Sequence, residues 1–149
     1  MYERGPGLYV TGHRVFVAGP VHLAIEFRGE DNEPKTLSAG PGILVLVSER
    51  NRKSDVEPGS NFTIGKVNPP GELSVGDYFD ELIKAQEYYC NCLDYDLFPR
   101  EEEGYNSNSY VRGILEATGG SVPVEFGDFV GGGKPVPAER FRPPEALDQ

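Results

Sequence analysis

At 149 residues with 38% hydrophobic content, the chain suits one domain with a real core and leaves too little for a second folding unit. A formal net charge of −10 argues against nucleic acid or an anionic membrane as partner, because both need a basic surface to neutralise phosphate. No apolar run reaches the roughly 18 residues of a membrane span, and Met1-Tyr2-Glu3-Arg4-Gly5-Pro6-Gly7 lacks the regions of a signal peptide, so the expected location is cytoplasmic, or external by a specialised secretion system.

In chain order, Leu8-Tyr9-Val10 and Arg14-Val15-Phe16-Val17-Ala18 read as short strands, separated by Gly19-Pro20 from a third, Val21-His22-Leu23-Ala24-Ile25-Glu26-Phe27. The turn-like run from Gly29 to Pro34 then leads into Lys35-Thr36-Leu37-Ser38-Ala39, predicting a hairpin with the His22 strand. Ile43-Leu44-Val45-Leu46-Val47 is continuous and apolar and predicts a buried strand, with another over Asn61 to Val67. Between them, Ser48 to Ser60 reads as a solvated loop holding a local basic cluster, Arg50, Arg52 and Lys53.

After Pro69-Pro70 the pattern turns helical. Val75, Tyr78, Phe79, Leu82, Ile83, Gln86, Tyr89 and Cys90 recur at three- and four-residue steps, with Ser74 as cap. This places Cys90-Asn91-Cys92 inside a helix running to Leu93, where so short a separation does not close a disulfide, and free thiols are expected. One Cys-x-Cys with two distant histidines is a poor zinc constellation, so neither a metal nor a cofactor is expected. Asp94 to Glu103 reads as a loop ending on the acidic run Glu101-Glu102-Glu103.

A second helix follows, with Tyr110, Val111, Ile114 and Leu115 on its packed face and Gly119-Gly120 as its stop. It starts near Ser107, within Asn106-Ser107-Asn108-Ser109. Unpaired N–H groups and the positive end of the helix dipole favour negative charge on an oxygen there. Ser and Asn are equally the residues that cap helices, so a cap and a nucleophile are both open readings of Ser107. His22 likewise reads either as a packed strand residue or as a base, while His13, in Gly12-His13-Arg14, reads as an exposed turn residue. The glycine-rich stretch from Gly127 to Pro135 lacks the Ser or Thr of a phosphate cradle. Residues 138–149 are expected as a disordered tail on a domain spanning 1–137.

The run Asn106-Ser107-Asn108-Ser109-Tyr110-Val111 resembles the Asn-Cys-x-x-Phe-Val helix start of the circularly permuted NlpC/P60 papain-like superfamily, which includes the lecithin:retinol acyltransferase-like enzymes. The strand Val21-His22-Leu23-Ala24-Ile25-Glu26-Phe27 resembles the His strand that precedes the nucleophile in that group, and the tail Gly133-Lys134-Pro135-Val136-Pro137 is similar to that of bacterial, toxin-like members. The resemblance implies an α+β fold, an antiparallel sheet with packed helices, with Ser107 at the nucleophile position and His22 as general base. It also implies peptide, peptidoglycan or lipid acyl substrates and, for a toxin effector, a protein inhibitor or immunity partner.

The departure is Ser107 where the family carries Cys. A thiol with a pKa of about 8.5 is far more easily activated than an alcohol, so the chain is a serine variant, an inactive relative or a substituted form. A third group is needed to orient the imidazole, and the family takes it from the strand after the His strand, which makes Ser38 the candidate. Glu26 shares a strand face with His22 but stands about 7 Å along it, and reads better as a solvated charge at a strand end. Two functions follow: a hydrolase or acyltransferase of amide, ester or thioester bonds, and a catalytically inactive binding or assembly module.

Overall fold

The computed structural model describes residues 5–15, 20–56, 61–99 and 104–143. Strands β1 (Gly7–Arg14), β2 (Val21–Arg28), β3 (Pro34–Pro41), β4 (Leu46–Arg50) and β5 (Phe62–Lys66) form one antiparallel sheet of order β4-β3-β2-β1-β5. Helices α1 (Lys53–Val56), α2 (Val75–Tyr88) and α3 (Ser107–Thr118) complete an α+β architecture.

Alternation along β2 separates two environments. Leu23 and Ile25 turn to a core shared with Leu8 and Val10 of β1, Leu37 and Ala39 of β3, and the apolar stripes of the two long helices, Tyr78, Phe79, Leu82, Tyr110, Val111, Ile114 and Leu115. Each fully buried Leu or Ile contributes about 1.5–3 kcal/mol, so this face supplies most of the driving force. The other face carries His22, Ala24 and Glu26 beside Thr11, Thr36 and Ser38, all buried as well. Five polar side chains buried on one sheet face are costly unless something satisfies them. Helix α1 lies over this face, where Asp55 accepts from Ser38 and approaches His22.

Several sequence-based expectations change. Strand β1 extends from Gly7 to Arg14, beyond the expected Leu8-Tyr9-Val10; of the second expected strand, Arg14 ends β1, and Phe16, Val17 and Ala18 lie outside the described residues. The apolar run Ile43–Val47 is a strand only at its end: β4 starts at Leu46, which is buried, whereas Ile43 and Leu44 are 93% and 83% exposed. Leu44 adopts φ 66° in the β3–β4 turn, where Gly42 N–H donates to Val45 O and Tyr95 N–H to Leu44 O. The chain must reverse there for β4 to pair with β3, and turn geometry overrides strand propensity. Glu26 is not a solvated charge but is 1% exposed, and Arg28 Nε donates to its Oε1 at 2.7 Å.

Helix α2 starts as expected, with Ser74 Oγ accepting Asp77 N–H, but stops at Tyr88. Cys90 and Cys92 therefore lie beyond it. Asn91, at φ 53°, bends the chain so that their Cα atoms are 5.1 Å apart, and the two are disulfide-bonded rather than free. The expected disordered tail begins with a 3₁₀ turn, Ala138–Phe141, whose Phe141 is buried against Tyr89 and Tyr110. Residues 144–149, like Glu101-Glu102-Glu103, lie outside the described residues. Among the described residues no helix is long and apolar enough to cross a membrane.

Candidate active site

The start of α3 is built from four polar residues, three of which are committed to structure. Asn106 is the N-cap: its Oδ1 accepts Asn108 N–H at 3.0 Å and Ser109 N–H at 3.1 Å, and Ser109 Oγ accepts Asn106 N–H, closing a capping box. Asn106 Nδ2 donates to Leu97 O and Val130 O, and Ser109 Oγ donates to Gly131 O. These bonds seat the glycine-rich loop on the helix start. Gly131 is required there, because its φ is 82° and a Cβ would fall 2.2 Å from Asn106 Oδ1.

Asn108 reaches the sheet. Its Oδ1 accepts Leu23 N–H at 2.8 Å, and its Nδ2 donates to Val21 O at 2.9 Å and Val130 O at 3.0 Å. The first turn of α3 is thereby pinned to β2 on both sides of His22. Ser107, the first helical residue, is the uncommitted member of the four: its hydroxyl makes one long bond, 3.3 Å, to Asn108 Oδ1. Ser107 is thus not the cap. The amides of Asn108 and Ser109, which the sequence left available for an oxyanion, are taken by Asn106, whereas the cap does not use that of Ser107.

Ser107 and His22 line one cavity of about 130 Å³, together with Gly40, Pro41, Arg52, Tyr95 and Leu97. This is room for a reacting carbonyl and its neighbours. No hydrogen bond joins Ser107 to His22, and the serine hydroxyl donates to Asn108 Oδ1 instead; catalytic hydrogen bonds are often absent or long in ligand-free sites. Arg52, expected in a solvated loop, lies at the cavity wall instead.

Behind His22 stands a residue that sequence reading missed. Asp55, in the single-turn helix α1, is fully buried, and its Oδ1 lies 3.3 Å from His22 Nε2 without the alignment of a hydrogen bond. Ser38 Oγ donates to Asp55 Oδ2 at 2.5 Å. Burial pushes the Asp55 carboxyl up, but contact with His22, the Ser38 hydroxyl and His13 outweighs it and holds the group below the ordinary carboxylate range. Ser38, the candidate orienting group, therefore meets Asp55, and Asp55 meets His22.

His13 is not the exposed turn residue expected. In the β1–β2 register it is paired directly with His22, their ring centroids are 4.8 Å apart, and His13 Nδ1 lies 3.7 Å from Asp55 Oδ1 and 3.2 Å from Asn61 Oδ1. Burial, then the neighbouring His22, depress the His13 pKa, against the opposing pull of Asp55. The two histidines, distant in sequence, with Asp55 form a group able to hold a metal ion, contrary to the expectation from cysteine and histidine spacing.

Asp55 carries no local signal, since Ser54-Asp55-Val56 sits in a polar stretch. The one clue was the crowd of polar residues that β2 and β3 turn to the same face. Comparisons of this chain with protein-family models, with curated proteins and with solved structures find no match.

Proposed function

We propose that the protein is a papain-like hydrolase or acyltransferase of the permuted NlpC/P60 type, acting on an amide, ester or thioester carbonyl through Ser107, His22 and Asp55. The observation that carries this reading is the placement of the only uncommitted hydroxyl of the Asn106–Ser109 cluster in one cavity with His22, whose Nε2 lies 3.3 Å from a buried carboxylate. With Nε2 turned to Asp55, the neutral imidazole keeps its proton there, and its Nδ1 lone pair accepts the proton of Ser107. Ser107 Oγ attacks the carbonyl, the Ser107 amide at the positive end of α3 stabilises the oxyanion, and His22 returns the proton to the leaving group. Water or a second acceptor then repeats the sequence on the acyl-enzyme.

Asp55 takes the orienting role for which Ser38 was the candidate, and Ser38 fixes the carboxylate from behind. Peptide, peptidoglycan or lipid acyl groups are the substrate classes the family resemblance suggests, and a bacterial effector with a protein inhibitor is the corresponding biological role.

The test is labelling of the purified protein with a fluorophosphonate probe. Labelling that is lost in Ser107→Ala and His22→Ala, and falls in Asp55→Asn, supports the assignment. A parent protein that remains unlabelled, and whose Ser107→Cys variant is also inert to a thiol-directed electrophile, supports the binding module instead.

A further inference from the structure

We infer that His13, His22 and Asp55 form a binding site for one divalent transition-metal ion of the zinc class, and that filling it withholds His22 from Ser107. The second half rests on the catalytic reading above; the first does not.

One donor atom from each of the three residues lies within 4.8 Å of the others. A tetrahedral ion with ligands at about 2.1 Å has ligand-to-ligand edges of about 3.4 Å. The two separations from Asp55 Oδ1, 3.3 Å to His22 Nε2 and 3.7 Å to His13 Nδ1, are already close to that edge. The adjustment falls on His13, whose ring is 14% exposed and has room to move, while His22 and Asp55 are fixed in the interior.

An independent observation points to the same place. His22 Nε2 and Asp55 Oδ1 are both buried and neither has a hydrogen-bond partner. A buried polar atom left unpaired is costly, and a single ion between these two satisfies both. The surroundings suit ligation. Ser38 Oγ occupies Asp55 Oδ2 and leaves Oδ1 to face the histidines. Asn61, held by the Ser54 and Asp55 carbonyls through Nδ2, accepts from His13 Nδ1 at 3.2 Å through Oδ1, a bond that an ion at Nδ1 would replace. Two imidazoles and one carboxylate select zinc, cobalt or nickel over calcium and magnesium, which need several oxygens.

The consequence follows from imidazole valence. When Nε2–H faces Asp55, the lone pair is on Nδ1. When a metal takes the Nε2 lone pair, the neutral ring carries its proton on Nδ1, which can then no longer accept one from Ser107. Metal and serine thus compete for opposite tautomers of one ring.

The experiment uses the full chain, stripped with a chelator and titrated with Co²⁺ and Zn²⁺, with the Co²⁺ visible spectrum and the imidazole NMR signals as readouts. One-to-one binding, with both histidine rings perturbed and the affinity reduced about tenfold or more in His13→Ala, His13→Gln and Asp55→Asn, is expected. Absence of saturable one-to-one binding by the parent, or an affinity unchanged in these variants, overturns the site. For the coupling, the ratio of fluorophosphonate labelling with and without Zn²⁺ is compared between parent and His13→Gln. A fall of about tenfold in the parent that is abolished in the variant supports it. Labelling that proceeds unchanged with metal bound overturns it. One-to-one binding in a parent that is never labelled supports the metal site and counts against the hydrolase reading alone.

Discussion

Asn108 holds the main chain on both sides of His22, taking Leu23 N–H on its Oδ1 at 2.8 Å and giving an Nδ2 hydrogen to Val21 O at 2.9 Å. One side chain at the nucleophile helix thus sets the position of the proposed base. Asn108→Ala leaves the Val21 carbonyl and the Leu23 N–H without the side chain that holds them, and a loss of about 2–3 kcal/mol is expected. Asn108→Asp keeps the acceptor and loses both donated bonds, so probe labelling should fall in this variant as well. Chemical denaturation and fluorophosphonate labelling, measured on the same preparations, check both effects.

Asn106 and Ser107 are adjacent but separable. Asn106→Ala removes the cap and its ties to Leu97 and Val130, at an expected cost of about 2 kcal/mol. Ser107→Ala removes one long hydrogen bond and should leave the melting temperature within a few degrees, while abolishing labelling. A Ser107→Ala variant as destabilised as Asn106→Ala would return Ser107 to a structural role.

Gly113 offers a test of how the C-terminal segment docks. Ala in place of Gly inside a helix ordinarily gains about 1 kcal/mol. Here a Cβ would meet Val136 O at 2.4 Å and Val136 N at 2.9 Å, backbone atoms anchored by the Val136 N–H bond to Ser109 O. Overpacking of this kind costs about 1–3 kcal/mol, so Gly113→Ala should lower stability despite the better helix former. The melting temperature decides the sign.

The tyrosines predict the alkaline limit. Burial raises the pKa of Tyr78, Tyr89, Tyr95 and Tyr110 above the ordinary value of 10.0. The unfolded chain therefore ionises first, and stability is intact below about pH 10 and falls as pH rises beyond it. Tyr110→Phe also loses the 2.6 Å bond to Ser48 Oγ, so it should be less stable near neutrality. Its stability should nevertheless fall less steeply above pH 10, by about one proton in the slope. Denaturant midpoints across that range give the slope directly.

Local pattern determined much of the architecture. Period-2 alternation located β2 and β3 and put His22 on a strand; three- and four-residue periodicity located α2 and α3; Ser74, the Asn106–Ser109 cluster and Gly119 marked helix ends through the hydrogen bonds that unpaired backbone groups require. Such features are decided within a few residues and can be read there. Ser107 against Asn106 as the cap was a difference of one position, settled by which side chain could reach two amides at once.

Only the tertiary structure decided what lies across strands and beneath loops. His13 meets His22 because of the β1–β2 register, and Asp55 becomes buried because α1 covers the polar face of the sheet, where Ser38 donates to its carboxylate and two imidazoles face it. Ile43 and Leu44 are exposed because pairing of β4 with β3 demands a turn where hydropathy alone predicts a strand, and Cys90 reaches Cys92 because α2 ends at Tyr88 instead of running on to Leu93. Each of these depends on contacts between segments far apart in the chain, and the free energy of such contacts has no trace in the residues on either side of the one concerned.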